Sequence, residues 1–308
     1  MIVDVHAHIF PQVYGNVADG PTRGLGYGHI SIGNRVEQLM PPGGEKTAHT
    51  VETLIATLDW AGVERAMLLQ GSYYGPCNPY VLEAVARYPE RLWGAAFLDP
   101  WAPGSREAAA EVLAAPGFRA LKLECSVPTG LCGLHPDARL DDAALDWLWA
   151  ELERRGRVLV LDLGAVRSRS YQTGAVRSLA QRYPALRVVI AHLAQPTPRA
   201  EADAALWNLW QEQIDLGRLP NVWFDCAALP AYVAEEGYPF PTAGRYLRTA
   251  IERIGSDKVM WGSDLPGMLV HATYPQLVKL GELHTQFLSA SERELVMGGN
   301  ALRVYGTS

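Results

Sequence analysis

The chain has 308 residues, 48% of them hydrophobic and 19% charged, ordinary proportions for a folded protein and too apolar for a disordered one. Its formal net charge of -6 argues against a nucleic-acid binder, which needs a basic face. The apolar stretches are broken by Asp, Arg or Pro well before the roughly 20 residues that span a bilayer. MIVDVHAHIFP carries neither a basic leader nor a cleavage-site pattern, and the four cysteines (Cys77, Cys125, Cys132, Cys226) lack zinc-ribbon and C-x-x-C spacing. A cytoplasmic protein with reduced thiols is expected.

Taken in chain order, a predicted strand at 2–5 leads into a segment at 11–50 that is rich in Gly and Pro. A helix at 52–61, a strand at 65–69, a helix at 80–88 and a strand at 92–97 follow. The alternation continues with a helix at 108–114, a strand at 119–123, a helix at 141–154, a strand at 158–163 and a helix at 173–183. Strands at 187–191, 221–224 and 258–261, helices at 201–215 and 245–254, and a closing helix at 291–305 complete it. Near-continuously apolar strands alternating with helices are what a parallel sheet covered by helices requires. Eight such units predict a (β/α)8 TIM barrel formed by one domain over residues 1–308.

An open doubly wound sheet would carry a Gly-rich turn directly after its first strand. The candidate, Gly24 to Gly28, follows no strand and opens no helix, and there is neither a Walker motif nor a G-x-S-x-G elbow. The 11–50 segment is expected to be a long lid-like loop at the C-terminal mouth of the barrel.

His6-Ala7-His8 ends the first strand. Residues two apart on a strand point the same way, so both imidazoles can reach one metal ion. Other strands also end in polar residues that an apolar barrel would not choose: Glu124 closes the fourth, Asp162 lies in the fifth, His192 closes the sixth and Asp264 follows the eighth. Ionisable groups at C-terminal strand ends converge on one pocket and read as catalytic.

VDVHAHIFP (3–11), AAFLDP (95–100), ALKLE (120–124), VVIAHLAQP (188–196), NVWFD (221–225), VMWGSDLPG (259–267) and GNALRVYG (299–306) run from end to end of the chain. In these stretches it resembles the amidohydrolase superfamily. The similar branch contains aminocarboxymuconate-semialdehyde decarboxylase, resorcylate-type decarboxylases and metal-dependent lactone hydrolases. The resemblance implies that His6 and His8 are metal ligands and that Asp264 is a ligand or the proton-transferring carboxylate. It also implies that His192 is a ligand or polarises the substrate. The family's histidine near the end of the fifth strand is replaced here by Asp162, which makes the site harder and more negative if it binds the ion. One divalent ion, zinc or manganese, is expected, held by His6, His8, Asp162 and Asp264.

Such an ion lowers the pKa of its water to about 7. Asp264 would take that proton and His192 would stabilise the carbonyl being attacked, which is hydrolysis of an ester, lactone or amide of a small substrate expected to be carboxylated. The same ligands serve a non-oxidative decarboxylase of a small aromatic or dienoic acid, and a lapsed barrel that only binds is the third reading. Lys122 is expected to be an ion-paired structural residue, and Glu124 a partner of a ligand or a ligand itself. Arg23 and Arg167 are expected to clamp a substrate carboxylate, Tyr73 to wall the pocket, and His271 to contact substrate from the loop after the eighth strand. His29, His49, His135 and His284 read as surface or structural, and the Trp207–Trp210 pair as packing or a subunit contact. The expected partner is a small-molecule substrate, with no nucleic acid and no membrane; a homodimer is compatible with the fold.

Overall fold

A sheet rolled into a barrel buries both faces of every strand, one on the barrel axis and one under the helices. A computed structural model, which describes residues 1–306, has this arrangement. In chain order its strands are β1 (Val3–Ala7), β2 (Asn16–Val17), β3 (Gly20–Gly26), β4 (His29–Ile32), β5 (Arg35–Gln38) and β6 (Arg65–Leu68). They continue as β7 (Leu92–Phe97), β8 (Phe118–Glu124), β9 (Val158–Asp162), β10 (Val188–Ile190), β11 (Val222–Asp225) and β12 (Val259–Met260). Among the described residues, β1 and β6 to β12 form one eight-stranded parallel sheet in sequential order. Beside the short β12 the ring is completed by Val5 N donating to Trp261 O at 3.2 Å and His8 N to Leu265 O at 2.8 Å. The chain is a (β/α)8 barrel, and each predicted barrel strand is present with its ends moved by at most two residues.

Alternation sorts the apolar residues into two cores. Val3, Val5, Met67, Leu69, Trp93, Ala95, Ala120, Val158, Val160, Val189 and Met260 fill the barrel. Their neighbours Leu121, Leu123, Leu159, Leu161, Ile190 and Phe224 pack outward under the helices. The closing helix Asn300–Tyr305 plugs the N-terminal end of the barrel with Ala301, Val304 and Tyr305. Toward the other end the inward positions change character, to Lys122 and Glu124 on β8 and Asp162 on β9. The helices have ordinary local causes. Val51–Ala61 starts at Thr50, whose side chain accepts from Thr53 N, and stops at Gly62, whose φ of 68° ends the helical path. Trp207 and Trp210 stack at 4.2 Å and pack on Tyr246, so that pair serves the core of this chain. No helix among the described residues is long and apolar enough to cross a membrane. Phe224→Ala, which empties a fully buried position of β11, is expected to cost about 3–5 kcal/mol, read as a fall in the urea unfolding midpoint.

The segment 11–50 corrects the expectation of a loop. Its residues 16–38 fold into a four-stranded antiparallel sheet in the order β2-β3-β4-β5. Three two-residue turns make this sheet, Ala18-Asp19 between Val17 and Gly20, Tyr27-Gly28 between Gly26 and His29, and Gly33-Asn34 between Ile32 and Arg35. Tyr27, Gly28 and Gly33 take φ of 50°, 77° and 55°, the left-handed backbone that tight hairpins require. The sheet buries Thr22, Ile30 and Ile32, whereas every residue of β5 is exposed. Asn16 N donates to Ser72 O at 3.1 Å, Thr22 Oγ1 to Tyr73 O at 2.6 Å and Ala18 N to Pro128 O at 3.2 Å. These bonds fasten it as a collar to the loops after β6 and β8, at the mouth of the barrel.

Candidate active site

The imidazoles at the end of β1 are oriented from behind. His6 Nδ1 lies 3.1 Å from Asp225 Oδ2, His8 Nδ1 lies 3.0 Å from Leu69 O, and His192 Nδ1 lies 3.3 Å from Ala227 O. Each of these partners accepts, so each Nδ1 carries a proton; in the neutral rings of His6 and His8, Nε2 is then a bare lone pair. The Nε2 atoms turn inward. His8 Nε2 is 3.1 Å and His6 Nε2 3.6 Å from Asp264 Oδ1, and His192 Nε2 is 3.1 Å from Asp162 Oδ2.

Backbone strain delivers two of these groups. Asp264 has a φ of 65°, and its N–H donates to His6 O at 2.7 Å, which sews the eighth strand end to the first. His192, Leu193, Ala194 and Gln195 all have left-handed φ, between 49° and 57°. Left-handed L residues normally occur singly, so such a run persists only where its surroundings hold it. Here His192 N donates to Asp225 Oδ1 at 2.8 Å, Trp210 Nε1 to Leu193 O at 2.9 Å, and Tyr171 Oη to Ala194 O at 3.1 Å.

The charges are tightly interlocked. Burial, then the cationic Lys122 and His192, push His6 well below its ordinary pKa, and burial also lowers His8. Burial would do the same to His192, but the Asp162 carboxylate outweighs it and the ring is pushed up to about 10. Burial opposes ionisation of Asp264, yet the imidazoles gathered around it, His8 first and then His6 and the cationic His192, hold it below the usual carboxylate range. Glu124 rises to about 7 through burial and the facing charge of Asp162, its cross-strand neighbour in register. Lys122 Nζ is 3.4 Å from Glu124 Oε2 and 3.4 Å from His6 Nε2.

This donor set fits a divalent cation. The ligand atoms of His6, His192 and Asp264 lie within 4.8 Å of one another, and His8 Nε2 adjoins the same Asp264 oxygen. A neutral His8 faces oxygen acceptors with both ring nitrogens while it has only one proton. A cation between Nε2 and Asp264 satisfies the contact that lacks a proton.

The cavity above the cluster measures about 220 Å³, and its lining includes His8, Tyr73, Tyr74, Lys122, Glu124 and Thr129, along with Asp162, His192, Asp264 and Leu39. Tyr74 packs on His8 with ring centroids 4.7 Å apart. Asp162, expected as a ligand, rests on His192 and accepts from Gln195 Nε2 and Gly164 N, both at 3.1 Å. Three expectations are corrected. Arg23 donates to the carbonyls of Gly15 and Thr22 and lines a separate cavity of about 420 Å³. Arg167 is exposed, on the loop after β9 across which Ser170 Oγ donates to Leu163 O at 2.7 Å. His271 follows the turn Gly267–Val270 and is absent from the cavity wall, which only Gly267 of that turn reaches.

Two buried acids escaped the sequence reading. Asp225 closes β11 and holds both His6 and the backbone of His192; it is the same kind of polar strand end as Glu124. Asp4 accepts from His6 N, Ser263 N, Ser263 Oγ and Tyr274 Oη, tying β1 to the Asp264 segment; burial lifts it to about 6 against those donors. His49 also proves relevant. It is buried, and its Nδ1 donates to His8 O at 2.7 Å.

Residues 3–307 match the amidohydrolase family model. L-fucono-1,5-lactonase of Burkholderia ambifaria is 30% identical over 138 residues, 42% of this chain and 45% of that enzyme, so the match spans about half the length of each. An amidohydrolase from Burkholderia multivorans, solved with HEPES, superposes over 100% of both chains with a TM-score of 0.75 and 21% identity. The same protein has been solved with zinc bound. A probable 2-pyrone-4,6-dicarboxylic acid hydrolase from Acinetobacter baumannii, with citric acid bound, superposes over 99% of both chains with a TM-score of 0.70 and 19% identity. The chain belongs to the amidohydrolase family.

Proposed function

We propose that this enzyme, of hydrolase or carboxy-lyase type, hydrolyses the lactone ring of a small substrate that carries hydroxyl groups and no carboxylate. One observation carries the reading. The histidine and aspartate cluster opens into a cavity walled by Tyr73, Tyr74 and Thr129, with no arginine in its described lining. Both cations of the lining are already engaged, Lys122 by Glu124 and His192 by Asp162. A substrate carboxylate would meet Asp162, Asp264 and Glu124 with no guanidinium to receive it, whereas hydroxyls find both donors and acceptors. The similarity to a lactonase that acts on a sugar lactone supports the same substrate class.

His6, His8 and Asp264 would hold a single zinc or manganese ion, which supplies Lewis acidity toward a carbonyl and toward water. Asp264 takes the proton of the attacking water and returns it to the ring oxygen as the ester bond breaks. His192, kept cationic by Asp162, places positive charge beside the carbonyl oxygen as that oxygen becomes negative. Tyr74 keeps the His8 ring in place and shields that side from bulk water. The four cysteines are all buried and unpaired, in keeping with a cytoplasmic enzyme.

The test is a substrate panel on protein purified without chelator. Neutral aldonolactones, 2-pyrone-4,6-dicarboxylate and aromatic carboxylates are compared while acid and carbon dioxide are both recorded. Acid release from the neutral lactones is expected, lost on chelation and restored by zinc or manganese. Carbon dioxide release without acid would establish decarboxylation in its place, and preference for the dicarboxylate would overturn the neutral-substrate assignment.

A further inference from the structure

At the opposite end of the barrel the strands begin with arginines. Arg119 lies at the start of β8, Arg157 directly before β9 and Arg187 directly before β10, on three neighbouring strands. Arg155, at the end of the helix Asp146–Arg154, joins them. The four guanidinium groups, with Gly156 and Tyr305, line a cavity of about 370 Å³ whose described lining contains no Asp or Glu. The catalytic candidates stand at the C-terminal strand ends, so this cavity is separated from them by the filled barrel.

Like charges are costly to gather, and at Arg157 the neighbouring carbonyl compensates only in part. Arg119 donates to Tyr305 O at 2.8 Å and lies over the Trp93 ring at 5.3 Å. Arg187 donates to Val304 O and to Gly156 O, and Arg155 pairs with Glu151 at 2.5 Å. Arg157 reaches Ala115 O only at 3.5 Å, and its Nε is buried with no partner, as is the Tyr305 hydroxyl. Burial, then Arg155 and Arg119, pull the Arg157 guanidinium below its ordinary pKa, the signature of a cation short of counter-charge. Guanidinium forks presented together match the oxygens of phosphate or carboxylate groups.

We propose that this cavity is a binding site for a small oxyanion carrying at least two phosphate or carboxylate groups, distinct from the catalytic pocket. Arg119 and Arg157 supply guanidinium forks on which it is tested. Titration calorimetry on the full chain, with inorganic pyrophosphate in one arm and tricarballylate in the other, tests it. Saturable binding at one site per chain is expected, and the tighter arm identifies the source as phosphorylated or polycarboxylic. R157Q and R119Q should each weaken that binding about tenfold or more. R119K, which keeps the charge and loses the fork, should fall between wild type and R119Q and covers the case in which a Gln variant does not fold. Neither Gln variant should change lactone turnover, so failure here is separable from failure of the catalytic assignment. Absence of binding in both arms, or affinity equal in wild type, R119Q and R157Q, would overturn the site. The second result would also be the outcome if the anions merely chelated the catalytic ion.

Discussion

Asp264→Asn is expected to lower the turnover of a neutral lactone by about a hundredfold to ten-thousandfold, the usual worth of a positioned proton-transfer group. Asn has nearly the same shape, and its carbonyl still faces His6 and His8, so the fold and the cavity should persist. What disappears is the charge and the ability to carry a proton. The buried neighbours make the effect specific, because the imidazoles of His8, His6 and the cationic His192 hold this carboxylate ionised where burial alone would protonate it. Initial rates by pH-stat, with metal content by mass spectrometry, separate the two contributions. Lost turnover at full metal occupancy assigns proton transfer; lost metal assigns ligation. A variant retaining more than about a tenth of wild-type turnover contradicts both roles.

Asp225→Asn is expected to weaken retention of the metal by about 10–100-fold although Asp225 stands behind the donor set. One oxygen fixes the His6 tautomer at 3.1 Å; the other accepts from His192 N at 2.8 Å and Ala227 N at 3.1 Å. The amide keeps one acceptor for the backbone pair but presents N–H toward the Nδ1–H of His6. That contact either repels or flips the ring, which turns the bare Nε2 away from Asp264. Competition with a chelator of known affinity measures the change. A Ser263→Ala variant removes a donor to Asp4 without touching His6 Nδ1, and so controls for general loosening of β1.

The barrel was legible because each of its strands is apolar on both faces, which only a doubly covered sheet rewards. The collar was not. Its glycines interrupt the period-two pattern, β5 buries nothing, and the hydrogen bonds that fasten it run to backbone atoms of distant loops. The cluster was legible for a related reason: His8, Glu124, Asp162, His192 and Asp264 are charges where a barrel interior should be apolar. Asp225 obeys the same rule and could have been read by it. Asp4 could not, since nothing in VDVHAH shows whether its carboxylate turns to the Ser263 segment or to the metal. Arg23 lies on a strand of that collar, and Arg167 and His271 lie on loops held by local hydrogen bonds such as Ser170 Oγ to Leu163 O, and no spacing rule encodes these.

The collar has a kinetic consequence. Because residues 16–38 are hydrogen-bonded as a sheet and pinned to the loops after β6 and β8, the entrance is a preformed aperture. Substrate enters and product leaves without a segment first folding over the site or unfolding from it. Turnover should therefore be insensitive to added viscogen, and the size of acceptable substrates should have a sharp upper limit set by Tyr73 and Leu39 at the rim.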